Sequence, residues 1–182
     1  MKRIFLLAVV LLLLLCGCGE EGRDCLEYRN GAFESEVGGE VDGVRFRAHV
    51  VCGEPREESD ADGSVRTLRD SRVEFYSPES MKGICVLSDG EGVQVTLGDI
   101  EIKNAKLEGF LFIADALCPE GSVAEVALES FSGKEANKLS LNGSGEHSIY
   151  IDALTDLPIG AKLQRDGRSV LLEIVWLERL GG

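Results

Sequence analysis

From Ala32 to the end of the chain, apolar and polar residues alternate with the period of a half-buried strand, and pairs such as Asp-Gly and Asn-Gly interrupt the alternation. Residues 32–41, the turn Asp42-Gly43 and residues 44–50 form a predicted hairpin with Val44, Phe46, Ala48 and Val50 on one face. His49 falls on the opposite face with the arginines, where a solvated side chain is expected. Residues 54–63 are acidic and form a predicted surface loop; Asp60-x-Asp62-Gly63 lacks the remaining ligand positions of a calcium loop and reads as a charged turn. Strand composition returns at 66–76, with Val73 and Phe75 on one face. After a break at Ser77-Pro78, residues 84–88, 93–97 and 100–102 form a predicted meander. Residues 138–141, 148–151, 159–164 and 169–177 supply the closing strands, with Val170, Leu172, Ile174 and Trp176 expected to share a face.

One stretch breaks the alternation. Residues 109–118 are apolar nearly all round and end at Pro119, which predicts a buried helix. Residues 122–131 fit a short helix or a strand, and the pattern does not choose between them.

The beginning of the chain has a different logic. Lys2 and Arg3 precede an apolar run from Ile4 to Leu15, the length of an export signal and too short for a bilayer of about 20 helical residues. The run leads into Leu15-Cys16-Gly17-Cys18, which resembles the bacterial lipoprotein motif cut ahead of a lipid-modified cysteine. Gly17 is the small residue that motif needs before its cysteine, whereas Cys16 follows a bulky leucine, so Cys18 is the lipidation site expected from the resemblance. The chain then divides into a signal peptide (1–17), a lipidated cysteine with its tether (18–30) and a single domain (31–182). It is expected on an extracytoplasmic membrane face of a bacterial cell envelope.

Charge and cysteines narrow the function. The formal net charge is −13, and loss of Lys2 and Arg3 takes the mature chain to about −15. With no basic cluster to meet phosphates, nucleic acid is not an expected partner, and membrane attachment falls to the lipid. Cys25, Cys52, Cys85 and Cys118 remain after export and allow three pairings; disulfides and buried thiols both stay open. Their spacing contains no Cys-x-x-Cys half-site, so no metal is expected. His49 and His147 stand without a Gly-x-Ser-x-Gly elbow, and the carboxylates are scattered over turns, so neither an enzyme nor a cofactor is expected.

Three segments together carry a family resemblance: 75–78 leading to Met81-Lys82-Gly83-Ile84, the apolar helix 109–118, and Tyr150-Ile151-Asp152-Ala153-Leu154-Thr155-Asp156-Leu157-Pro158 with the Asp166-Gly167 turn that follows. The domain resembles the LolA/LolB-like superfamily of lipoprotein and lipid carriers. The resemblance implies an α+β fold: a curved, mostly antiparallel, open half-barrel with one or two helices plugging its concave side. It implies a space for a lipid, an acyl chain or another hydrophobic ligand, lined here by Phe46, Phe75, Phe110, Phe112, Ile113 and Trp176. The competing expectation is a non-enzymatic sensor or interaction lipoprotein, whose interior is packed and whose surface engages another envelope protein.

Replacing Cys18 with Ser removes the thiol that accepts the lipid and leaves the domain intact. The variant should stay uncleaved or leave the lipid-anchored pool in detergent phase partitioning, and equal partitioning of the two forms after signal removal would refute the assignment. Mature protein should carry at least two acyl chains, since one alone binds membranes marginally.

Overall fold

The structure, a computed structural model, describes residues 25–41, 43–59, 63–90, 92–103, 108–143 and 145–181. Cys18 and the expected signal segment lie outside the described residues, as do the side chains of residues 108–111. A 3-10 turn (Glu27–Asn30) leads into β1 (Ala32–Val41), β2 (Val44–Cys52), β3 (Arg56–Ser59), β4 (Val65–Leu68), β5 (Ser71–Ser77), β6 (Ile84–Ser88), β7 (Val93–Leu97) and β8 (Ile100–Lys103). Helix α1 (Glu108–Leu117) follows, and then β9 (Val123–Phe131), β10 (Lys134–Leu141), β11 (Glu146–Asp152), β12 (Pro158–Arg165) and β13 (Arg168–Leu180).

Eleven strands form one antiparallel sheet in the order β8-β7-β6-β5-β2-β1-β13-β12-β11-β10-β9. The sheet does not close, because β8 and β9 are its two edges. The chain passes from one edge to the other through α1, which packs against β5, β6, β12 and β13. This is the open, curved sheet with a helix on its concave side that the sequence led us to expect.

One segment differs from the sequence pattern and another resolves an open alternative. Residues expected as one surface loop and the start of the next strand pair as a small separate hairpin, β3 with β4, from Arg56↔Leu68 to Ser59↔Val65. It has no apolar face to bury, so it stays exposed and is held by backbone pairing and the Arg66–Glu58 ion pair. The ambiguous segment 122–131 is β9, paired along the length of β10.

Within the tether expected over 18–30, the fold already takes hold of the chain. Leu26 and Tyr28 are buried in the core, and the Tyr28 hydroxyl donates to the Leu117 carbonyl at 3.0 Å. A short 3-10 turn leaves carbonyls without backbone partners, and Arg69 satisfies them. Its guanidinium donates to the carbonyls of Arg29, Gly31 (2.9 Å) and Gly53 (2.7 Å) while lying over the Phe33 ring. Arg29 in turn donates to Pro119 O at 3.1 Å and Gly121 O at 3.0 Å. The start of the domain is thereby fastened to the chain just beyond α1.

Trp176 corrects a further expectation. The register of β1 against β13 shifts between Glu36 and Val37, so Glu36 faces Trp176, Val37 faces Ile174, and Val175 has no opposite number. One extra residue inverts the alternation. Trp176 therefore leaves the face shared by Val170, Leu172 and Ile174 and stands on the outer side, 38% exposed.

Away from the main core, Phe131 at the end of β9 stacks on Tyr150, their ring centroids 4.3 Å apart, and lies over Gly160 of β12. A Cβ on Gly160 would come within 2.2 Å of the Phe131 ring. Gly160→Val should cost about 1–3 kcal/mol through overpacking. Adding Phe131→Leu should recover part of that loss in urea denaturation, because the ring is what the new side chain meets.

Candidate functional site

The concave face has a filled centre and bare margins. At the centre, Phe46 of β2 and Phe75 of β5 meet edge to face with centroids 5.7 Å apart. Phe112 (4% exposed) and Ile113 (1%) of α1 belong to the same buried cluster, with Val37, Ala48, Val50 and Leu172. Four of the six residues expected to line a ligand space are thus brought together, filling one another. Of the remaining two, Phe110 has its side chain outside the description. Trp176 is on the outer face, where its indole N–H donates to Glu36 at 3.3 Å and its ring lies 5.8 Å from that of His49. His49 is half-buried and hydrogen-bonded to Glu34 at 3.1 Å.

Pairing places several exposed apolar residues on the concave side at both edges. Leu139 belongs to the core and faces Val126; Asn137, two residues before it on the same side of β10, faces Leu128. Val126 and Leu128 therefore point to the concave side of β9, yet they are 59% and 61% exposed. On the far edge, buried Val86 faces Val95, which faces Ile102, and Leu97 faces Ile100. Ile100 and Ile102 are 63% and 53% exposed. The apolar concave surface extends past the helix to both edges, and the short α1 that joins those edges covers only its middle.

The C-terminal end of α1 is tied from several sides. Besides Tyr28 on the Leu117 carbonyl, the imidazole of His147 on β11 is 3.0 Å from the Ala116 carbonyl, and Arg165 of β12 pairs with Asp115 at 2.5 Å. Arg165 also covers the Phe112 ring at 5.3 Å. Burial raises the Tyr28 phenol far above its ordinary value, so it stays a neutral donor. Burial likewise lowers the pKa of His147, outweighing its bond to the Ala116 carbonyl. Neutral His147 donates from Nε2.

The cysteines divide by face. Cys52 at the end of β2 and Cys118 just after α1 bring their sulfurs to 3.5 Å, while Cys25 packs at the margin of the core. Cys85 pairs with Glu74 on the outer face, where its sulfur accepts from Arg72 Nε at 3.3 Å. Among the described residues no group of three or more His, Cys, Asp or Glu is placed to hold a metal ion. Two open clefts, of about 540 and 610 Å³, are lined by other residues, including Arg72, Gln94 and Lys103 in one and Glu146 and Arg165 in the other.

No protein-family model matches the chain, and no curated protein matches it. Several solved structures do. A LolA superfamily protein from Nitrosomonas europaea is 13% identical, covering 88% of this chain and 94% of its own, with a TM-score of 0.39. An uncharacterised conserved protein from Thermus thermophilus is 17% identical over 87% of this chain and 85% of its own, with a TM-score of 0.47. The lipoprotein LppX from Mycobacterium tuberculosis is 10% identical over 88% of this chain and 94% of its own, with a TM-score of 0.43.

Sequence reasoning missed the bare margins. Ile100-Glu101-Ile102-Lys103 shows a clear alternation, but only the pairing reveals that its apolar face lies beyond the helix.

Protonating His147 opposes its burial, so the folded protein binds this proton less readily than the unfolded chain. Stability from this site is present above the ordinary histidine value of 6.5 and is lost as pH falls below it. Thermal melting from pH 7.5 to 5 should show a steeper loss for the native protein than for His147→Gln, while parallel curves would remove this histidine as the cause.

Proposed function

We propose that the chain is a non-catalytic, lipid-anchored binding module on an extracytoplasmic membrane face, and that its concave surface takes an acyl chain or a comparably apolar ligand. The observation that carries this reading is the apolar concave surface left bare at both edges of an unclosed sheet, on either side of the helix that links those edges. Exposed Val126 and Leu128 on one margin and Ile100 and Ile102 on the other offer aliphatic contact without a charged side chain among them. An acyl chain gains roughly 25 cal/mol for each Å² of apolar surface it hides, with no need for a directional partner. A ligand lying along a margin needs no rearrangement; a longer one would displace α1 from the centre.

The second reading is a protein-binding platform on the same fold. It is favoured by the packing of Phe46, Phe75, Phe112 and Ile113 into one buried cluster. In that case the exposed margins meet an apolar segment of an envelope protein, and no small ligand is held.

Two substitutions separate the readings. Leu128→Glu and Ile102→Glu change exposed residues, so stability should stay within about 0.5 kcal/mol, while uptake of a fluorescent fatty acid by delipidated protein should fall at least tenfold. Phe112→Ala should cost about 3–5 kcal/mol, the ordinary consequence of emptying a packed aromatic site. A native protein that shows no acyl ligand in native mass spectrometry and no uptake of the probe would refute the carrier and leave the platform.

A further inference from the structure

The sulfur pair at the end of α1 has a role that neither reading of the concave surface requires. Cys52 is buried at the last position of β2, and Cys118 is the first residue after the helix, half-exposed. Their sulfurs are 3.5 Å apart, with the Cys118 thiol directed at Cys52. Both backbones are already held. Cys52 sits in the ladder opposite Phe33 and Ser71, and the amide of Cys118 donates to the Ala114 carbonyl at 3.0 Å. Tyr28 fixes the neighbouring Leu117 carbonyl, and Arg29 fixes Pro119. Of the other two thiols, Cys85 is on the opposite face of the sheet under Arg72, and Cys25 packs at the margin of the core just before the 3-10 turn.

We propose that Cys52 and Cys118 form a disulfide in the exported protein, a covalent clasp that fastens the C-terminal end of α1 to the sheet. Closing the bond needs a rotation of the two side chains to bring the sulfurs from 3.5 Å to about 2 Å. The oxidant is a protein or small-molecule disulfide of the envelope. Cys118, the accessible partner, attacks it as a thiolate, and one oxidant sulfur leaves as a thiol. Cys52 then surrenders its proton and attacks the Cys118 sulfur, and the second oxidant sulfur leaves. Two cysteine thiols become one disulfide, and their two protons pass by way of solvent to the oxidant's two sulfurs, which leave as thiols. The hydrogen bond it shares with Cys118, and then its burial, hold the pKa of Cys52 up in the reduced pair.

The clasp spans 66 residues of sequence and so constrains the unfolded chain strongly. It also confines any movement of the helix to its N-terminal end, since the other end becomes a fixed pivot.

The test uses full-length protein taken from the envelope, with thiols alkylated at lysis and peptides mapped without reduction. A cross-linked peptide pair containing Cys52 and Cys118, with Cys25 and Cys85 alkylated, is the expected result. Reduction should then lower Tm by on the order of 10 °C, and that shift should vanish in Cys118→Ser. Finding both Cys52 and Cys118 alkylated, or either one linked to Cys25 or Cys85, would overturn the proposal. The peptide map is read on the native protein, so failure of the variant to fold does not affect it.

Discussion

An antiparallel sheet that curves without closing leaves its apolar concave face short of cover, and among the described residues one ten-residue helix packs onto it. Everything distinctive about the domain follows from that shortage. The helix is the connection between the two edge strands, so its position is set by both. It buries Phe112, Ile113, Ala116 and Leu117 in the middle of the sheet and leaves the margins uncovered. A longer helix would cover more of those margins.

The strength of the structure is gathered at the end where α1 stops. Helix termini leave carbonyls without partners, and here Tyr28, Arg29 and His147 come from distant strands and turns to serve that region of the chain. Arg69 performs the same service for the 3-10 turn, using one guanidinium to gather three carbonyls from two segments. The buried Tyr28 bond is worth more than a surface ion pair because both partners are withdrawn from water, while the arginine and histidine bonds are part-buried or exposed. The outer-face pairs, such as Lys162 with Glu146 and Arg72 with Glu74, contribute to solubility more than to stability.

Much of this was legible in the sequence because period-two alternation and Asp-Gly turns are local signals. The hairpin of β1 and β2, the meander from β6 to β8 and the helix at 108–117 all appear where the pattern of residues puts them. What stayed hidden depends on pairing. No local rule announces that Val175 is a bulge, and that single extra residue carries Trp176 out of the core and into the company of His49 and Glu36. The bare margins are hidden for the same reason: Ile102 and Val86 have the same kind of side chain, and only their distance from the helix makes one exposed and the other buried. The proximity of Cys52 and Cys118 arises from the path of the chain, which no spacing of cysteines encodes.

Were Cys18 lipidated as proposed, the burial of Leu26 and Tyr28 would limit how far the domain could stand from the membrane. The seven peptide units from Cys18 to Cys25 can reach at most about 25 Å. A lipid on Cys18 would hold the Arg69 end of the barrel within that radius of the headgroups. The domain would then be oriented as well as anchored, pivoting about one end of its sheet instead of sampling every direction.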